Sequence, residues 1–328
     1  MIKTILFSIL LCLSILIQAQ NTHYGTSSGT GGTNSSFFGY YSGNAVTGSN
    51  NSFFGTSSGR FTTSGSNNTG SGSEVLYSNT VGSGNTAFGY RTIYANTSGV
   101  NNTAIGITAL RSNTIGSNNF AAGAYSLYFN TTGDSNTACG GDALYSNTTA
   151  SQNTAMGHQS LYLTTTGSGN TAIGFQSLYS NTLGSANTAG GFQALYSNTG
   201  SASQNTAFGY RALYNNLGTD HNTAVGYLSL FSNTGAYNTA VGNLSLYFNS
   251  TGINNVALGS SALYFNTLGD ENTSIGSQTM HGNQTGSYNT ACGYLALGSN
   301  FEGDGNVAVG DKALRLNSSG NYNTATGT

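Results

Sequence analysis

The sequence predicts an all-β fold, a parallel β-solenoid (β-roll) of about 18 coils with a 17-residue repeat. The first observation is a unit of the form Asn-Thr-Ala-apolar-Gly that recurs almost without change along the chain. No stretch carries an apolar period of about 3.6 residues long enough for a helix. A 17-residue unit cannot bury a core alone, whereas stacked coils can. With the Asn of each unit as the origin, the clear copies begin at Asn85, Asn102, Asn119, Asn136, Asn153, Asn170, Asn187, Asn205, Asn222, Asn238, Asn255, Asn272, Asn289, Asn306 and Asn323.

Each position of the repeat has its own residue type. The residue four after the origin is Gly, as in Gly226, which indicates a positive φ or a close approach of two backbones. The residue eight after is usually Leu, and the residue nine after is usually aromatic, as in Leu230 and Phe231. An Asn follows eleven after, with Thr and Gly close behind, and these are turn residues.

The columns predict a short strand (T-A-V-G), a corner, a second short strand (A-L-Y) and an Asn/Gly turn in every coil. Two spacings deviate from 17: Asn187 to Asn205 is 18 residues and Asn222 to Asn238 is 16. A slip of one residue in a strand would turn every side chain to the wrong face. We therefore expect the added and the missing residue to lie in turns. The frame extends weakly backward to Asn68, Asn51 and Ser35.

Composition and the N-terminus predict an exported protein. Residues 1–19 have a lysine followed by a short apolar run, which is typical of a secretory signal peptide. Residues 20–84 form a Gly/Ser/Thr-rich segment with degenerate coils, and residues 85–328 form the repeat domain. Charged residues are 5% of the chain and the net charge is -2, so no basic surface is offered to nucleic acid. No transmembrane segment is expected after signal removal.

Apolar residues fall on both faces of the first strand, and this predicts self-association. Because side chains alternate along a strand, Ala and Leu would fill the coil interior. The opposite face carries an apolar column that soluble monomers rarely leave exposed. We infer a homo-oligomer that buries this column, although a wider single-chain coil could bury both sets. The column contains Ile105, Met156, Ile173, Phe208, Val225, Val241, Leu258, Ile275 and Val309. Cys139 and Cys292 share the column and are predicted to be small apolar core residues.

The aromatic column is the one candidate site. It can stabilise neighbouring coils by stacking, bind sugar rings or a partner surface, or be buried in an oligomer interface. Its members are Tyr128, Tyr145, Tyr162, Tyr179, Tyr196, Tyr214, Phe231, Tyr247 and Tyr264. Histidines and acids are scattered over different columns, so no catalytic, cofactor or metal site is predicted and the protein is not expected to be an enzyme.

The strand motifs NTAIG, NTAVG and NVAVG, each followed by an Ala-Leu step, resemble the head repeats of YadA-like trimeric autotransporter adhesins. The resemblance covers about residues 85–328, with degenerate copies from about Ser35. It implies a left-handed parallel β-roll that trimerises through its apolar strand. The unit is longer than the usual head repeat of that family, and similar units of 17 residues also occur in phage tail-fibre-like proteins.

These observations lead to one expected function and two alternatives. The expected protein is a secreted or cell-surface, adhesin-like repeat protein, a homotrimer that binds a host, matrix or glycan surface multivalently without catalysis. One alternative is a phage-fibre-like shaft module. The other is an ice-binding solenoid that uses the Thr columns one and twelve residues after the origin.

Overall fold

The computed structural model describes residues 22–328 and confirms an all-β parallel solenoid of about 18 turns with a spacing of about 17 residues. The predicted signal peptide, residues 1–19, lies outside the described residues. The described chain forms two compact units, residues 22–151 and 152–328. Within residues 22–328 there is no helix long and apolar enough to cross a membrane.

The first unit contains eight short strands in parallel register, one per coil. Each strand pairs with the strand of the next coil, so that Thr86, Ala87 and Phe88 lie beside Thr103, Ala104 and Ile105. The strands are β1 (Thr22–Tyr24), β2 (Ser36–Phe38), β3 (Ser52–Phe54), β4 (Thr69–Ser71), β5 (Thr86–Phe88), β6 (Thr103–Ile105), β7 (Phe120–Ala122) and β8 (Thr137–Cys139).

The second unit continues the same pattern with eleven strands of this kind and three shorter ones that pair among themselves. The main strands are β9 (Thr154–Met156), β10 (Thr171–Ile173), β11 (Thr188–Gly190), β12 (Thr206–Phe208), β14 (Thr223–Val225), β16 (Thr239–Val241), β18 (Val256–Leu258), β19 (Thr273–Ile275), β20 (Thr290–Cys292), β21 (Val307–Val309) and β22 (Thr324–Thr326). The short strands are β13 (Asn215–Asn216), β15 (Ser232–Asn233) and β17 (Phe248–Asn249).

The coil interior is narrow and is filled by the predicted Ala and Leu columns. Ala172 and Leu178, two and eight residues after the origin Asn170, are fully buried, and their counterparts in most other coils are buried as well. Gly259, four after its origin, has a φ of 137°, and a Cβ there would lie 2.5 Å from the carbonyl oxygen of Gly276. The Gly column is therefore required by both the backbone conformation and the close approach of the next coil.

Two columns of buried asparagine complete the interior. The Asn255 side chain, at an origin position, donates to Asn238 Oδ1 at 3.2 Å and to the Gly269 carbonyl at 2.8 Å, and its Oδ1 accepts the Asn272 backbone N–H at 3.0 Å. The column eleven after the origin forms a second ladder; there Asn266 donates to Asn249 Oδ1 at 2.9 Å. These side chains satisfy turn backbone groups that water cannot reach.

The irregular spacings fall in turns, as predicted. In a standard coil the Asn eleven after the origin donates to the carbonyl three residues later. In the 18-residue coil Asn198 donates to Ala202, four residues later, and in the 16-residue coil Asn233 donates to Gly235, two residues later. The asparagine ladder thus stays in register, while the turn that follows the Asn gains or loses one residue.

The prediction of a second strand at A-L-Y is wrong. This segment is a turn in which alternate residues are left-handed: Gln176 has a φ of 52° and Leu178 a φ of 51°. Left-handed backbone costs roughly 1–2 kcal/mol per non-glycine residue, so this conformation has to be stabilised by contacts between coils. Leu178 is fully buried, and its N–H donates to the Ala194 carbonyl of the next coil at 3.0 Å.

The interior of the first coils uses a different pair of residues. Phe37 and Phe53 occupy the place that Ala takes in most other coils, two residues after the origin, and both are fully buried. Their coils carry Gly43 and Gly59 where most of the others carry Leu. A Cβ on either Gly would overlap the Phe ring of its own coil. In these two coils the large side chain lies two residues after the origin and the small residue eight after, which reverses the Ala and Leu arrangement of the standard coil and fills the same interior space.

Candidate functional site

The predicted aromatic column is a stack of half-buried rings. In the first unit Tyr128 and Tyr145 stack with ring centroids 5.4 Å apart. In the second unit the rings from Tyr162 to Tyr264 stack in one series, with centroids 5.1–5.3 Å apart and planes within 8° of parallel. We call this second-unit series the tyrosine ladder. Its members are Tyr162, Tyr179, Tyr196, Tyr214, Phe231, Tyr247 and Tyr264.

The stacking determines what the tyrosine ladder can offer to a ligand. Each ring face is covered by the rings above and below, so a sugar cannot lie flat on a tyrosine inside the ladder. The ring edges and the hydroxyl groups are what remains. Burial raises the pKa of Tyr196 and of Tyr247, with neighbouring tyrosines adding to the shift, so these phenols stay protonated at neutral pH. Apart from Phe231, the ladder is a row of hydrogen-bonding hydroxyls.

Sequence reasoning missed two members of the aromatic column. His281 extends the tyrosine ladder, stacked on Tyr264 at 5.2 Å. In the first unit Arg111 occupies the ladder position between Tyr94 and Tyr128, with its guanidinium carbon 5.7 Å and 5.5 Å from the two ring centroids. A planar cation can replace a ring in such a stack. Both residues lie nine after an origin, which is the signal that could have identified them.

Two further rows run beside the tyrosine ladder in the second unit. Gln176 donates to Gln159 Oε1 and Gln193 to Gln176 Oε1, both at 2.9 Å, and Arg211 Nε donates to Gln193 Oε1 at 2.8 Å. We call these four residues, six after their origins, the amide row. The position before it carries a second, more exposed aromatic stack with centroids 5.2–5.7 Å apart. It consists of His158, Phe175, Phe192, Tyr210 and Tyr227.

The amide row lies between the two aromatic stacks. The guanidinium carbon of Arg211 is 5.2 Å from the ring centroid of Tyr210 and 5.3 Å from that of Tyr214, so it contacts one ring of each stack. In the sequence these residues are recognisable only as Gln and aromatic residues at fixed offsets from the origin. Whether their side chains are neighbours on the surface depends on how each coil folds.

The apolar column of the first strand is exposed in the chain by itself. Ile173 is 48% exposed, Phe208 45% and Val309 43%. A wider coil that buries both apolar sets is therefore wrong for this chain. Of the two cysteines in the column, Cys139 is half-buried and Cys292 is exposed, so their prediction as core residues is also wrong. We call the exposed column the apolar stripe.

The two Thr columns differ in what their hydroxyls do. In the column twelve after the origin, Thr97 and Thr114 donate to carbonyl groups of the next coil, at 2.9 Å each. The column one after the origin lies on the same strand face as the apolar stripe, whose side chains range from none at Gly190 to the large ring of Phe208. That uneven surface is poorly suited to a planar ice lattice. Ice binding stays a prediction.

Three comparisons bear on identity. The chain shows no match to a protein-family model, to a curated protein or to a solved structure. The resemblance to YadA-like head repeats therefore rests on the sequence motifs alone.

The stacked histidine predicts a pH dependence of stability. Burial lowers the pKa of His281 from 6.5, so the unfolded chain takes up a proton before the folded chain does. Stability is then lost as the pH falls below the unfolded value of about 6.5. We expect His281→Tyr, which restores the common residue of the column, to show a smaller fall in the thermal midpoint between pH 8 and pH 5. Burial also lowers the pKa of His23, so the variant should keep part of the fall. An equal fall in the parent and the variant would contradict this role of His281.

Proposed function

We propose that this protein is an exported, non-catalytic surface repeat protein that assembles as a homotrimer and binds its partners multivalently. The observation that carries the proposal is the apolar stripe. Large apolar side chains that recur on one strand face in coil after coil form a surface of a kind that mostly marks interaction sites. The proposed export rests on the N-terminal sequence pattern.

A symmetric assembly of identical chains is the simplest way to cover the stripe. Parallel chains around a three-fold axis would place each residue of the stripe beside its own copies at the same level. The small residues of the stripe would then leave space for the large side chains that lie next to them. Within the chain this already occurs at Gly190, where a Cβ would lie 2.5 Å from Cδ1 of Phe208. The resemblance to trimeric head repeats supports three chains rather than two.

Once the stripe is covered, the other columns remain outside. The tyrosine ladder repeats one aromatic ring per coil, the amide row adds a glutamine in three of these coils, and three chains would present three such surfaces. Weak contacts that repeat in this way produce high avidity without a deep pocket. A phage-fibre-like shaft would have the same architecture. The ice-binding alternative has less support because of the uneven strand face.

Sedimentation of the purified chain tests the assembly. We expect the mass of three chains for the parent protein. Ile173→Asn combined with Val225→Asn should shift it to the monomer, because two amides would have to be buried without partners in every chain. The control pair, Leu183→Asn with Leu268→Asn, changes residues that are 51% and 53% exposed but lie outside the stripe. It should leave the trimer intact. A monomeric parent chain would refute the proposed assembly.

A further inference from the structure

A regular polar surface runs along the left-handed turns of three coils in the second unit. It combines part of the amide row with part of the tyrosine ladder, and we call it the amide–tyrosine surface: Gln176, Gln193, Tyr179, Tyr196 and Tyr214. Successive tyrosine rings are 5.1 Å apart, and the glutamine amides are linked by a 2.9 Å hydrogen bond. Two successive coils therefore present one tyrosine and one glutamine each at nearly the same spacing, and the next coil adds Tyr214.

The polar groups of this surface have hydrogen-bonding capacity left for a ligand. Within the described residues, Tyr179, Tyr196 and Tyr214 have no hydroxyl partner in the protein, and none of these hydroxyls is a buried unpaired atom. They therefore face solvent. Each glutamine amide has two N–H donors and an oxygen that accepts two bonds. The bonds along the amide row use only one donor of each side chain, which holds the amide in place and leaves the other for a ligand.

The charge of the region restricts the class of ligand. Residues 143–210 contain no Asp, Glu, Lys or Arg. The first charged residue beyond them is Arg211, whose Nε is bound to Gln193 Oε1. Anionic polymers such as nucleic acids or sulfated glycans are bound mainly by clusters of Lys and Arg, which this region lacks. The surface is suited to a neutral ligand rich in hydroxyl groups.

The period of the surface points to a polymer. Sugar residues in an extended β-1,4-linked chain recur at a spacing close to that of the coils. Such a chain lying along the direction of coil stacking would meet a tyrosine hydroxyl at three successive sugars and a glutamine amide at two of them. We propose that the amide–tyrosine surface binds a neutral, extended β-1,4-linked polysaccharide through hydrogen bonds from the tyrosine hydroxyls and glutamine amides. This inference rests on the proposed function, since it names the partner class of the same surface-binding columns.

The chain supplies conservative variants for a test. Tyr179→Phe with Tyr196→Phe removes two hydroxyls and keeps the stacked rings, as Phe231 does naturally in the tyrosine ladder. Gln176→Leu with Gln193→Leu introduces the residue that Leu228 and Leu244 place at the same position of the repeat, with the same left-handed backbone. The matched control is Tyr237→Phe with Tyr288→Phe. It also removes two tyrosine hydroxyls, but from residues that are 57% and 62% exposed and lie outside the tyrosine ladder.

The experiment measures depletion of the purified chain from solution by chitin, amorphous cellulose, cross-linked dextran and collagen-coated beads. We expect binding to chitin or cellulose, little to dextran, whose α-linked chain has another shape, and no dependence on salt. Each test pair should weaken binding about tenfold or more, since each lost hydrogen bond costs about 1 kcal/mol. The control pair should bind like the parent. Circular dichroism verifies that every variant keeps its fold.

The outcomes separate this inference from the proposed function. No binding to either β-1,4-linked polymer, or binding that both test pairs leave unchanged, would overturn the polysaccharide inference. If the chain then bound collagen as a trimer, the proposed function would stand with a protein as its partner. A monomer that binds chitin and loses binding in the test pairs would support the polysaccharide inference and refute the trimer.

Discussion

Replacing Gly59 by Leu is expected to destabilise the first unit by about 3 kcal/mol, although Leu is the most common residue at this position of the repeat. The reason is local: the ring of Phe53 already fills the space that a Leu side chain takes in other coils, and a Cβ at position 59 would overlap it. Backbone strain is not the cause, because Gly59 has a φ of 60° and Leu110 adopts 52° at the equivalent position.

The compensating change identifies the cause. Phe53→Ala alone should cost about 3–5 kcal/mol by leaving a cavity in the interior. The double variant Phe53→Ala with Gly59→Leu recreates the Ala–Leu pair of the standard coil, as in Ala104 and Leu110. We expect it to be more stable than Phe53→Ala alone and than Gly59→Leu alone, because the new Leu side chain fills the cavity that the lost ring leaves.

Urea unfolding of the four proteins measures this coupling. The double variant is not expected to recover the parent stability fully, because Phe53 also stacks on Phe37, with ring centroids 5.8 Å apart. Additive effects of the two substitutions would show that the Phe53 ring and Gly59 are not matched in volume.

Asn255→Asp is expected to be the most damaging change to the buried asparagine ladders. The Asn255 amide donates to Asn238 Oδ1 and to the Gly269 carbonyl, so a carboxylate would face two acceptors without water. Loss of two donors and burial of an unpaired charge should cost about 3–5 kcal/mol. Burial of the unpaired carboxylate raises its pKa, so the deficit relative to the parent should shrink as the pH falls from 7 toward the unfolded pKa of about 4, where the protonated acid can donate one bond.

A matched substitution separates charge from burial. Asn243→Asp makes the same chemical change at an exposed position of the next coil toward the N-terminus and should change the unfolding free energy by less than about 0.5 kcal/mol. Thermal and urea unfolding at pH 7 and pH 4 measure both variants. A small effect of Asn255→Asp at pH 7 would mean that water reaches the ladder, contrary to the complete burial of Asn255.

Much of the fold could be predicted because the repeat contains its own register. The Asn, Ala, Gly and Leu columns each have a local physical reason, and a strand cannot slip by one residue without exposing its buried face. For the same reason the deviant spacings at Asn198 and Asn233 had to fall in turns. The candidate column at Tyr179 and Tyr196 could be predicted as a stack from its period.

Other features could not be read from the period. The A-L-Y segment has the composition of a strand, yet Leu178 is left-handed because buried packing and hydrogen bonds to the next coil stabilise a conformation that an isolated peptide avoids. The amide row at Gln176 and Gln193 was visible as a column. Its place between two aromatic stacks follows only from the folded turn.

The sequence by itself determined the solenoid, its spacing and the residues that must be buried, because each requirement is met within one coil and its neighbour. The tertiary structure alone decided which columns face solvent and which lie side by side. Residues six and nine after the origin are separated along the chain by two buried positions, and only the left-handed turn between them brings their side chains onto one surface.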